Sequence, residues 1–220
     1  MVTINDGCSD NSSFPHASSR PTAELMELQD ALSTLGSVQT FHVQDEIHAT
    51  RENEKSLFLF TEGNFTCIRA SDGLVISSIH APMIYGIAEC LRPRGGWFLK
   101  AQELCQGRVI PASQAFEMFT EKQLWHSVAI TLSWYIQVVT YREEHLIGVT
   151  AYVMVRNKLL ELNLLAPETR ANVNVADYIQ ERTQLARSTI MAILGELRRG
   201  DYVEIKRGKL MGIKHLPKEY

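Results

Sequence analysis

The chain has 220 residues and a net charge of −3, with 45% hydrophobic and 21% charged residues, an ordinary globular composition that can fill one large core or two smaller ones. No run of about 18 apolar residues occurs, which excludes a transmembrane helix. The four cysteines, Cys8, Cys67, Cys90 and Cys105, form no C-x-x-C pair and match no zinc or iron–sulfur spacing.

Residues 1–21, MVTINDGCSDNSSFPHASSRP, carry neither the basic start nor the apolar stretch of a signal peptide, so a disordered tail and a cytoplasmic location are expected. TAELMELQDALSTLG follows with Leu25, Met26, Leu28, Leu32 and Leu35 at helical spacing and a Gly at its end, a short amphipathic helix. The next segment, SLFLFTEGNFTCIRASDGLVISSIHAPMIYG, alternates β-rich runs with breaks at Glu62-Gly63-Asn64 and Asp72-Gly73. Asp-Gly between such runs predicts a hairpin. Further short strands are expected at Phe41-Val43, Gly96-Leu99 and Arg108-Ile110, giving a small antiparallel barrel or sandwich.

SQAFEMFTEKQLWHSVAITLSWYIQVVTYREEHLIG reads as a long helix. Leu124, Val128, Leu132, Tyr135, Val139 and Leu146 form a seam, and Trp125, Trp134 and Ile136 form a second apolar face. Two apolar faces need two partners, the chain's own barrel and the same helix of a second subunit. TAYVMVRNKLLELNLLAP is a further helix ending at Pro167. Beyond it, Val175, Ala176 and Ile179 begin one helix and Ile190, Ile193, Leu194 and Leu197 line another. Gly200 stops the second, and two short strands flank the Arg207-Gly208 turn. Helix, helix and hairpin is the order of a winged helix-turn-helix.

Charge follows the same division. From Pro167 onward there are ten Lys/Arg against seven Asp/Glu, and before it 12 against 18. A basic module joined to an acidic one suits a domain that meets polyanions beside one that does not.

LFLFTEGNFTCIRASDGLVISSI, APMIYGIAECL and ARSTIMAILGEL together resemble the CRP/FNR superfamily of bacterial transcription regulators: its barrel hairpin, the start of its phosphate-binding segment and its recognition helix. Within the superfamily the chain is most similar to the enterobacterial inhibitor of hydrogen peroxide resistance group. The resemblance implies an α+β fold. Its parts would be a cyclic-nucleotide-binding-like antiparallel β-barrel over 22–120, a dimerisation helix over 121–148 and a winged helix-turn-helix over 149–220. It implies double-stranded DNA, a second copy of the chain and RNA polymerase as partners, and a regulatory rather than enzymatic role.

Departures from the family pattern narrow the expectation. Nucleotide-binding members place a Glu after the Gly of the phosphate-binding segment and later an Arg before Ser or Thr. Here Gly86 is followed by Ile87 and Ala88, with Glu89 displaced. None of Arg92, Arg94 and Arg108 precedes Ser or Thr, and a buried phosphate needs such a charge-assisted contact. Cyclic AMP is therefore expected not to bind, and no cofactor is expected. His42, His48 and His80 form no H-x-H or H-E-x-x-H set, so no metal site or metalloenzyme is expected.

For DNA, the resemblance gives Arg187, Ser188, Thr189 and Ala192 as the residues facing base edges, with Met191 beside them. Arg187 matches the first base-reading Arg, able to pair with guanine O6 and N7. Arg198, Arg199, Lys206, Arg207 and Lys209 read as phosphate contacts. Ala186 stands where a capping Ser or Thr is usual, which points to Thr183 as the cap, and the link from VADYI to Ile190 reads about one turn too long. Two other readings stay open: a redox regulator switched at Cys67, Cys90 or Cys105, and an interaction protein with a degenerate winged helix.

Overall fold

The computed structural model describes residues 20–51, 54–144 and 149–217; Cys8, Leu146 and all but the last two residues of the expected tail lie outside them. Helix α1 (Thr22–Leu32) forms where apolar residues share a face. It buries Leu25, Leu28 and Leu32 and leaves Met26 exposed. Strands β1 (Ser37–Phe41), β2 (Glu46–Ile47), β3 (Thr50–Arg51), β4 (Glu54–Glu62), β5 (Asn64–Arg69), β6 (Val75–His80) and β7 (Met83–Tyr85) follow. Helix α2 (Ile87–Leu91) precedes β8 (Trp97–Ala101) and β9 (Cys105–Pro111).

These strands make two antiparallel sheets. One has five strands, ordered β1-β9-β4-β3 with β7 also on β4; the other has four, ordered β2-β8-β5-β6. The sheets share a core in which the rings of Phe60 and Phe65, one from each sheet, lie 4.2 Å apart. Of the barrel or sandwich expected, the described strands form two open layers: among the described residues no ladder joins one sheet to the other. Glu62-Gly63-Asn64 is a corner between the sheets, with Gly63 at φ +115, where a Cβ would come within 2.3 Å of Cys105 Sγ. Asp72-Gly73 does lie in a hairpin, between β5 and β6. Only Gly73 takes a positive φ (+72), in a longer loop that Arg69 N–H closes by donating to the Leu74 carbonyl at 2.9 Å. A two-residue type I′ turn would need two such residues.

Leu57 to Phe60 of β4 are buried without alternation, because α2 and α3 (Ala112–Glu121) pack on the strand as well. The long helix expected from the sequence is broken. Gln123 adopts φ +57, and α4 starts afresh and runs Trp125–Glu144.

A second core belongs to the C-terminal unit. Val155, Leu159 and Leu162 of α5 (Ala151–Leu164) are fully buried, and Thr150 caps that helix by accepting from Val153 N–H at 3.3 Å. The short α6 (Pro167–Asn172) leads to α7 (Val175–Thr183) and α8 (Arg187–Arg199), which contribute Ile179, Ile190, Leu194 and Leu197 to this core. Strands β10 (Val203–Lys206) and β11 (Lys209–Ile213) pair antiparallel around Arg207-Gly208, with φ +50 and +77, a two-residue turn that matches the strand twist.

The units meet along β6. Arg182 of α7 lies 3.8 Å over the Tyr178 ring and donates to Ser78 Oγ at 3.1 Å, while Gln184 donates to Asp72. Glu161 accepts from Tyr178 OH at 2.7 Å and from the buried Lys158 at 2.5 Å, so the acid in this junction has two donors.

Candidate DNA interface

Helices α7 and α8 are joined by only three residues, Gln184 to Ala186, with Gln184 left-handed at φ +60. The extra length read from the sequence is taken up within α7, and the turn itself has the ordinary helix-turn-helix length. Ala186 is the N-cap of α8 and provides no side-chain cap. Thr183 does not replace it: its hydroxyl donates back to the Ile179 carbonyl at 2.7 Å, inside α7. The first amides of α8 are thus left for outside acceptors such as a phosphate oxygen.

Ile190, Leu194 and Leu197 bury one face of α8, and Ser188, Met191 and Ala192 are exposed on the other; Thr189 is half-buried. Arg187 stands at the first helical position, half-exposed. Its Nη1 donates to Asp177 Oδ1 at 2.5 Å and to Gln180 Oε1 at 3.2 Å, both on α7. These partners were not foreseen. The signal available for α7 was Asn174 followed three residues later by an acid, a capping-box-like pattern. In the structure Asn174 Oδ1 accepts from Ala176 N–H at 3.0 Å and Asp177 N–H at 3.3 Å.

The cations assigned to phosphates lie at the C-terminus of α8 and around the wing turn. Arg199 pairs with Glu196, and Lys206 with Glu204 at 2.6 Å; among the described residues Arg198, Arg207 and Lys209 form no ion pair. Val175 N–H donates to the Gly208 carbonyl at 2.9 Å, so the wing turn sits against the N-terminus of α7. Basic side chains and the positive end of a helix there reinforce one another toward a phosphate backbone.

On α4 the structure divides the expected seam. Leu124 and Val128 are buried in the subunit's own core, Leu132 packs against it, and Tyr135 OH donates to the Ile84 carbonyl at 2.9 Å. Val139 is exposed at 41%, together with Ile136 at 66% and Trp125 at 38%. The outward apolar residues are thus Trp125, Ala129, Ile136 and Val139, with Leu132, half-buried against the core, in line between them, one position removed from the first half of the seam read in the sequence.

In the N-terminal unit, Gly86 (φ +104) opens α2, and Ile87, the residue after it, is buried in the core. Glu89 accepts from Trp97 Nε1 at 2.7 Å, and Arg108 Nε donates to the Leu35 carbonyl at 2.7 Å. Arg92 and Arg94 edge a cleft of about 640 Å³ that also contains Arg69 and Glu89. Burial, reinforced by Glu89, pushes the half-buried Cys67 thiol up to about 12 and the Cys90 thiol up to about 11; burial also raises Cys105. All three are held as thiols, whereas the thiolate is the reactive form.

Residues 151–218 match the family model described as winged helix-turn-helix DNA binding. The inhibitor of hydrogen peroxide resistance from Salmonella typhimurium is 31% identical over 92% of this chain and 98% of its own length. Its Escherichia coli K12 namesake is 30% identical over 91% and 98%. Among solved structures, the c-di-GMP responsive global regulator of Xanthomonas campestris has a TM-score of 0.70 at 10% identity, covering 87% of this chain and all of its own. A CRP/FNR family regulator from Thermus thermophilus has a TM-score of 0.61 at 19% identity, covering 81% and 95%. The last two show the fold, and the first two show the family. The chain carries a winged helix-turn-helix, has the fold of CRP/FNR regulators, and belongs to the inhibitor of hydrogen peroxide resistance family.

Proposed function

We propose that the chain is a homodimeric cytoplasmic regulator that reads DNA with the N-terminus of α8, anchors on phosphates through the wing, and lowers resistance to hydrogen peroxide. The observation that carries this reading is the exposed start of α8, where Arg187 stands beside uncapped backbone amides. The outward stripe on α4 supplies the dimer contact. Its spacings of four, three, four and three residues are those of a coiled-coil seam, and two half-sites on DNA call for a two-fold axis. RNA polymerase is the further partner in this reading, and the peroxide role rests on the relatives' shared name. Deleting the gene should raise survival after a hydrogen peroxide challenge, and a copy carrying Arg187→Ala should fail to restore sensitivity. Unchanged survival of the deletion strain would refute the peroxide role.

The sensor unit in this reading does not take cyclic AMP, because Ile87 puts an apolar side chain into the core where a carboxylate would hold the ribose. Millimolar cyclic AMP should leave the melting temperature unchanged. A ligand with micromolar Kd would add about 4 kcal/mol at a thousandfold excess, so a clear upward shift would contradict the expectation. Switching by cysteine oxidation is the weaker reading, since burial disfavours the thiolate at each of Cys67, Cys90 and Cys105.

A further inference from the structure

Arg187 is held from α7 by one nitrogen alone. Nη1 makes both of its hydrogen bonds, to Asp177 and to Gln180, and among the described residues Nε and Nη2 make none. That leaves one complete edge of the half-exposed guanidinium, the Nε–Nη2 pair, with two parallel donors free. Guanine presents O6 and N7 to the major groove at a spacing such a pair fits. Both side chains of the Asp177–Arg187 pair are about half-exposed, 50% and 51%, so the pair lies on the surface that would meet DNA. Asn174 caps the turn of α7 that carries Asp177, accepting from the Asp177 backbone N–H.

We propose that Asp177 is a specificity-determining positioning residue, which holds Arg187 by one edge and makes it a base reader instead of a general phosphate anchor. The proposal rests on the reading of Arg187 as a base-contacting residue. On an arbitrary duplex an unrestrained arginine gains most by reaching a phosphate, since phosphates are everywhere and highly charged. The Asp177 contact limits which phosphates the free edge can reach, and to go beyond them the side chain must abandon Asp177 and leave a carboxylate without its partner beside a polyanion. On the correct site, guanine is reached through the free edge with the Asp177 contact intact. The carboxylate therefore weakens binding to wrong sequences more than to the right one, which is how a repulsive group produces discrimination. Gln180 supports the same geometry but, being neutral, brings no such repulsion.

The test is a titration of the full chain and of Asp177→Asn, Asp177→Glu and Arg187→Ala against a selected binding site and a scrambled duplex at several salt concentrations. Asp177→Asn should raise affinity for scrambled DNA several-fold and steepen its salt slope by about one unit, as Arg187 moves to a phosphate. The ratio of site to scrambled affinity should fall about tenfold. Asp177→Glu, which keeps the charge on an exposed side chain, should recover most of the ratio. In the Arg187→Ala background, Asp177→Asn should change both DNAs alike. If Arg187→Ala lowers the ratio but Asp177→Asn leaves both the ratio and the slope unchanged, Asp177 has no role in specificity. If Arg187→Ala itself weakens both DNAs equally, the base-reading assignment fails and the proposal falls with it.

Discussion

Replacing Ile136 by Asp should turn the proposed dimer into monomers at micromolar concentration and remove tight binding to a two-fold DNA site. Ile136 is 66% exposed in the single subunit, so the change leaves the subunit's core untouched. In a parallel seam each such residue meets its own copy across the axis, so the substitution places two carboxylates face to face in an apolar contact. Tethering two half-site readers raises avidity by about 10²–10⁴ over one alone, and a loss in that range is the expected result. Val128→Asp is the informative contrast. Val128 is 2% exposed inside the N-terminal core, so a charge there should unfold the unit. Sedimentation and thermal melting separate the two. A folded Ile136→Asp protein that stays dimeric would show that the two-fold axis does not run along this stripe.

The shift of that seam shows where the sequence was legible and where it was not. Apolar spacing located α4, but a helix with two apolar faces does not declare which one faces the subunit's own sheets. Tyr135, whose hydroxyl reaches the Ile84 carbonyl, lies on the inner face, and only the fold could place it there. Local backbone chemistry was partly readable. The Arg207-Gly208 turn stands where expected, with both residues at positive φ. The break at Gln123 was missed because a single left-handed non-glycine residue leaves little trace in a hydrophobic pattern. Barrel and sandwich could not be told apart in the sequence for a related reason. Alternation marks strands but does not say which edges pair, and Gly63, a corner between sheets, looks in sequence like any hairpin glycine.

The residues assigned to DNA divide in the same manner. The apolar stripe of Ile190, Leu194 and Leu197 fixes which side of α8 is buried, so Arg187 and Ser188 could be placed on the outside before any coordinates. Asp177 and Gln180 could not be linked to Arg187, ten and seven residues away, because that contact depends on the angle between α7 and α8. A three-residue turn with a left-handed Gln184 sets that angle.

Arg187→Ala should cost about 1–3 kcal/mol at a specific site and change non-specific binding far less, because it removes a two-donor contact to a base edge. Arg207→Ala or Lys209→Ala should act otherwise, since phosphates are identical along every duplex. Either should weaken all sequences alike and lower the slope of log affinity against log salt by about one unit per contact. Arg207 and Lys209 form no ion pair among the described residues, so no acid within the chain offsets their loss. The decisive measurement is one titration series over several salt concentrations. It takes the unmodified protein, Arg187→Ala and Arg207→Ala, each with DNA selected from bound genomic fragments and with its scrambled counterpart. A sequence-reading α8 with a phosphate-anchoring wing predicts that Arg187→Ala lowers only the selected-site affinity. It predicts that Arg207→Ala lowers both affinities and flattens both slopes. Equal affinity of the unmodified protein for selected and scrambled DNA, at every salt concentration, would contradict it.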